Sequence, residues 1–172
     1  MTGTEGVARR SLLLAAMASL CAGARGQALA APSGSPVLTL RGKLKRTNRG
    51  DSAVFDMAML EGMPQHSFGT KTPWFKDSRK FTGPLLRDLL ALSGAHGATL
   101  RVSALNDYRI DIPIEDARRF DVMLARLIDD RPITVREKGP LFMIYPFDSD
   151  PTLRNALYYS RSVWQLKTID VV

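Results

Sequence analysis

Apolar residues Val37, Leu38, Leu40 and Leu44 alternate with polar ones, which predicts a first strand over residues 37–44. Val54 to Met57 predicts a short second strand, with Ala58–Met63 turning helical before Pro64. Residues 65–80 carry no apolar period and predict an irregular polar loop, yet they hold Trp74 and Phe75. Large rings enter such loops when they pack or bind something. Pro84 opens a helix whose apolar face is Leu85, Leu86, Leu89, Leu90 and Leu92, and Gly94 stops it. Thr99–Ala104 and Tyr108–Ile112 read as strands joined by Leu105-Asn106-Asp107, since Asn and Asp tolerate the left-handed backbone of a tight turn. From Asp116 the period changes and predicts a helix through Ile128, with Phe120, Met123, Leu124 and Leu127 on one face. Ile133–Arg136 then predicts a strand, Gly139-Pro140 a turn, Leu141–Tyr145 an apolar strand, 152–159 a short helix and 163–172 a closing strand. Pairs of strands separate the helices. The expected class is therefore α+β rather than a doubly wound parallel sheet.

The N-terminus sets the expected compartment. Arg9 and Arg10 precede an apolar run from Ser11 to Ala22 that is too short to span a bilayer, and Ala28-Leu29-Ala30 suits signal cleavage. We read residues 1–30 as an export signal peptide cleaved near Ala30, 31–36 as a Pro/Ser/Gly linker and 37–172 as one domain. General secretion and twin-arginine export both fit the arginine pair. The expected location is periplasmic. The single cysteine, Cys21, would leave with the signal. The whole chain carries a formal charge of +7, and removing the signal leaves a modest basic excess. The longest basic run, residues 41–46, is too short to track a nucleic-acid backbone, so no nucleic-acid partner is expected.

Common catalytic and metal signatures are missing. The two histidines, His66 and His96, lack nearby carboxylates at ligand spacing. No nucleophile elbow or phosphate-cradling glycine loop occurs. Polar and aromatic residues near loops remain: Thr70, Thr72 and Trp74; Asn106, Asp107 and Tyr108; Arg136 and Lys138; Tyr145; Arg161, Trp164 and Gln165. Rings beside amides and charges suit a flat, hydrogen-bonding heterocycle. We take Thr72, Trp74, Asn106, Asp107, Tyr108, Arg136, Arg161 and Trp164 as the candidate ligand-binding set, with Tyr145 a core residue and no catalytic or metal-ligating residue assigned.

The segment Phe81-Thr82-Gly83-Pro84-Leu85-Leu86-Arg87-Asp88-Leu89-Leu90 resembles the aromatic-x-Gly-x-x-Leu-x-x-Leu-Leu signature of the sulfite-oxidase-like, or oxidoreductase molybdopterin-binding, domain family. Asn106-Asp107-Tyr108 followed by Ile112-Pro113 is similar to that family's Asp-Gly-Tyr turn and strand, and Leu124-Ala125 to its Leu-Ala helix. Gly139-Pro140-Leu141 through Tyr145-Pro146 and the closing Trp164-Gln165-Leu166-Lys167 resemble its last motifs. The resemblance spans residues 37–172 and implies one sulfite-oxidase-like domain with mixed sheets and short helices. The enzymes of that family bind molybdenum through a cysteine in the loop before the Phe81 segment. Here that loop, His66–Trp74, has Thr70 or Thr72 near the ligand position, and Phe142 replaces an arginine.

The chain looks closer to a small branch of stand-alone exported proteins that bind a simple pterin. Some of that branch regulate a membrane-bound cyclic-di-GMP synthase/phosphodiesterase. The resemblance implies a periplasmic, non-catalytic pterin-binding protein that relays ligand state to the periplasmic domain of a membrane signalling protein. Two other functions stay open: a molybdopterin-dependent oxidoreductase, and an accessory protein that uses the fold only as an interaction surface.

Overall fold

The main sheet is built around the chain's closing strand. In the computed structural model, which describes residues 29–172, β1 (Pro36–Gly42) pairs antiparallel with β2 (Ala53–Asp56) and parallel with β11 (Leu166–Val171). On its other side β11 pairs antiparallel with β5 (Thr99–Ala104), which pairs with β6 (Arg109–Pro113). The strand order is therefore β2-β1-β11-β5-β6. The signal expected over residues 1–30 lies outside the described residues except for Leu29 and Ala30.

A second sheet joins β3 (His66–Thr70), β4 (Arg79–Gly83), β8 (Leu127–Ile128) and β9 (Arg131–Pro132) in that order. A two-stranded sheet pairs β7 (Met123–Ala125) with β10 (Phe142–Ile144). Four short helices complete the chain: α1 (Met57–Glu61), α2 (Leu86–Ser93), α3 (Ile114–Arg119) and α4 (Ala156–Arg161). The expected α+β class holds.

Local chemistry explains several boundaries. Asp56 caps α1 by accepting from the Met59 N–H, and it also accepts from the Gly34 N–H. These hydrogen bonds hold its carboxyl below the usual range. Gly94 ends α2 in the left-handed conformation, where glycine has no side-chain penalty. Leu86, Leu89 and Leu90 are buried as expected, but Leu92 is turned outward and 36% exposed. At Gly83 a β-carbon would overlap the Leu124 carbonyl, so only glycine lets β4 lie this close to β7.

Four expectations are corrected. The irregular loop over 65–80 contains all of β3 and the start of β4, so that only Gln65 and 71–78 are loop. The expected 116–128 helix stops at Arg119, because Phe120 is already extended (φ −121°, ψ 155°). Residues 122–125 are buried without a break, and such an apolar run serves a covered strand as readily as a helix. Ile133–Arg136 is not a strand; Ile133 packs in the core and 135–137 form a 3₁₀ turn. The 152–159 helix is really two pieces, a 3₁₀ turn at Pro151–Leu153 and then α4, restarted by the Asn155 cap.

Candidate functional site

Trp74 is placed by a latch on the loop after β3. Thr70, fully buried, accepts a hydrogen bond from the Asp148 N–H at 3.1 Å. Asp148 in turn accepts from the Lys71 N–H at 2.9 Å and pairs with Arg154 at 2.7 Å. Thr72 is buried and accepts from the Trp74 N–H at 3.3 Å. The loop is thus pinned on both sides, and the Trp74 indole packs between Phe142 (5.5 Å), Trp164 (6.0 Å), Phe147 and Tyr159 (both 6.3 Å). Tilted and edge-on ring pairs at these separations are favourable.

The opposite wall comes from the turn between β5 and β6. Asp107 adopts φ 63°, as its residue type allows. Asn106 accepts the Tyr108 N–H through its side-chain oxygen at 3.2 Å, and the Tyr108 hydroxyl donates to the Ser160 carbonyl at 2.9 Å. That last bond ties the turn to the end of α4. Tyr159, Ser160 and Ser162 follow along α4 and its C-cap.

With Pro73, these residues line an open cavity of about 380 Å³. Its lining holds no carboxylate, guanidinium or ammonium. The Ser160 and Ser162 hydroxyls donate to the Leu157 and Tyr158 carbonyls, so each presents acceptor lone pairs. The Tyr108 oxygen is an acceptor for the same reason. The Asn106 amide nitrogen supplies donors.

A buried polar network holds α4 in place. Arg161 pairs with Asp116 at 2.8 Å, and the two side chains are only 14% and 10% exposed. The Tyr145 hydroxyl donates to the same carboxylate oxygen at 2.7 Å. Burial, and then this hydrogen bond, push the Tyr145 pKa far above its ordinary value, so the hydroxyl stays a donor. Asp116 was expected to cap or open a helix; it lies inside α3 and anchors α4.

Four of the eight candidate residues converge on this cavity: Trp74, Asn106, Tyr108 and Trp164. Thr72 stands behind Trp74 and orients its backbone. Asp107 shapes the turn but is exposed and outside the lining. Arg161 is taken up by Asp116. Arg136 lines a different cavity of about 560 Å³, beside Lys138 and Phe75. Tyr159, Ser160 and Ser162 escaped the sequence reading. The Asn155 cap, which restarts the helix and sets its phase, was the available signal.

The residues at the expected molybdenum-ligand position do not fit that metal. Both threonine hydroxyls already accept backbone hydrogen bonds, and a neutral hydroxyl is a poor replacement for a soft thiolate. Among the described residues, no three His, Cys, Asp or Glu side chains gather as a metal site. No protein-family model matches the chain, and no curated protein matches it.

Proposed function

We propose that the aromatic cavity binds a neutral flat heterocycle of the pterin class, and that the protein is a non-catalytic exported receptor with a sulfite-oxidase-like fold. One observation carries this reading. Two indoles and two phenols line an open cavity near the lower end of the ligand-pocket range, about 300–1,000 Å³, with hydroxyl acceptors and one amide but no formal charge. Ring faces supply stacking, and the acceptors suit the amino and ring N–H edge of a pterin.

Signalling requires that a partner bind the loaded and empty forms with different affinity. Leu105 and Leu157 are 45% and 52% exposed, and they lie in the two segments that form the cavity rim. A partner that covers them would sense whether the rim is ordered by ligand. The extracytoplasmic domain of a membrane-bound cyclic-di-GMP synthase or phosphodiesterase fits that role.

Native mass spectrometry of the protein purified from its own periplasm tests the reading. An added mass equal to a simple pterin is expected. A molybdenum–pyranopterin mass would overturn it in favour of an oxidoreductase. A bare protein that also fails to take up added reduced or oxidised pterin would overturn it in favour of an interaction protein.

A further inference from the structure

We infer that the second cavity, which Lys138 and Arg136 line, is a separate site for a small organic oxyanion: a phosphate or carboxylate carried on an apolar body. The cavity measures about 560 Å³. Arg79, Arg131, Arg136 and Lys138 contribute four cations to its lining, against Asp129 and Glu137. Both carboxylates are already engaged. Asp129 binds Arg79 at 2.8 Å and the Lys80 N–H at 3.0 Å, while Glu137 accepts from the Thr134 hydroxyl at 3.0 Å. Among the described residues, no carboxylate forms an ion pair with Arg131, Arg136 or Lys138. Guanidinium groups bind carboxylate and phosphate through paired N–H donors, so this excess of cations selects an oxyanion.

The backbone is arranged to present Lys138. Asp129 and Asp130 adopt φ 49° and 63° between β8 and β9, which aspartate tolerates. Lys138 at φ 82° has no such excuse, and non-glycine residues persist there only where surrounding structure enforces it. Two bonds enforce it here: the Gly139 N–H donates to Thr134, and the Lys138 carbonyl accepts from Gln165, both at 2.8 Å. The conformation sets the ammonium 3.5 Å above the Trp164 ring and 6.0 Å from the centre of the Phe75 ring. Burial there lowers its pKa. A partly dehydrated ammonium held by ring faces and lacking a carboxylate gains most when an anion arrives.

The apolar part of the lining excludes a bare ion as the best ligand. The Phe75 ring, Ile128, Pro132 and Ile133 supply apolar surface beside the cations, with the Arg79 guanidinium 5.6 Å from the centre of the Phe75 ring. An aromatic phosphate or carboxylate would cover them and place its charge on the arginines. Neither cavity's ligand depends on the other's, so this site stands or falls independently of pterin binding.

The test uses the full chain with Trp74→Phe, which leaves Trp164 as the sole tryptophan of the two. Phenyl phosphate, benzoate and inorganic phosphate are titrated against Trp164 fluorescence at matched ionic strength, with sodium chloride as control. A saturable change with phenyl phosphate or benzoate is expected, and the tighter of the two identifies the headgroup. Inorganic phosphate should bind about tenfold more weakly, lacking the apolar body. Arg136→Gln, at an exposed position, should weaken binding about five- to tenfold, and Lys138→Met should weaken it more. Calorimetry on the parent chain covers the case in which Trp74→Phe disturbs folding. A response matched by chloride, or affinity unchanged in both variants, would overturn the site.

Discussion

The two cavities meet at one contact, Lys138 against Trp164, but have opposite chemistry. Trp164 shows one side to the aromatic cavity and has the Lys138 ammonium over its ring. The first cavity is lined by rings, hydroxyls and an amide, without formal charge. The second gathers four cations: Arg79 at the start of β4, Arg131 in β9, and Arg136 and Lys138 in and after the 3₁₀ turn. The difference lies in what supports each. Rings of the first pack on Phe142 and Phe147 and inherit rigidity from the core. The second depends on backbone held at positive φ, with exposed arginines along its rim. A neutral cavity can select by shape and hydrogen-bond pattern, whereas a cationic one selects first by charge.

The largest expected effect separates them by destroying the support of one. Asp116→Ala leaves Arg161 buried without a partner and frees the Tyr145 hydroxyl. Breaking one partner of a buried pair costs about 3–5 kcal/mol. Urea unfolding should show a loss toward the lower end of that range, with Asp116→Asn losing less because it still accepts the Tyr145 hydrogen bond. At concentrations where the variant stays folded, pterin affinity should fall while phenyl phosphate binding persists.

Trp164→Ala should follow. Removing this side chain deletes a half-buried indole, at a cost of about 2 kcal/mol, below the fully buried range. It should weaken pterin tenfold or more, and phenyl phosphate only severalfold through the lost support of Lys138, read by calorimetry. Pterin affinity unchanged by Trp164→Ala would contradict the placement of the ligand.

Lys138→Met sharpens the comparison through pH. Burial sets the native pKa of Lys138 below its ordinary 10.5. Between those two values the unfolded chain binds more protons than the native one, so stability rises with pH across that window. Thermal melts of the parent should show this rise, and Lys138→Met should flatten it. Pterin affinity should stay within about twofold, since the side chain is outside the aromatic lining.

The smallest effect is expected at Arg101. Its pair with Asp111 links β5 and β6 at 2.9 Å, with both side chains more than half exposed. The contact raises the pKa of Arg101 and lowers that of Asp111, but exposed pairs are screened and contribute little. Arg101→Ala should leave unfolding and both binding curves unchanged within error.

Where local chemistry decided the structure, the sequence was readable. The alternating pattern of β1, the leucine face and Gly94 stop of α2, and the Asn106-Asp107 turn all depend on residues close in the chain. Residues 122–125 failed the same reading because burial on both sides erases the period that tells strand from helix. The aromatic cavity was half legible. Rings in a polar loop and an Asx turn marked Trp74 and Asn106, but nothing local told that β11 inserts between β1 and β5. Arg161 shows the limit most plainly. It adjoins the cavity residues Ser160 and Ser162 in sequence, yet its guanidinium turns to Asp116, 45 positions away.

The central claim is that Trp74 and Trp164 hold a pterin ring between the Asn106 turn and α4. Calorimetric titration of pterin into the parent, Trp74→Ala, Asn106→Ala and Asp107→Ala tests it most directly. One-to-one binding is expected, weakened at least about tenfold by Trp74→Ala, severalfold by Asn106→Ala, and little by Asp107→Ala, which is outside the lining. Binding that survives Trp74→Ala and Asn106→Ala but is lost with Asp107→Ala would contradict the account and move the ligand out of this cavity.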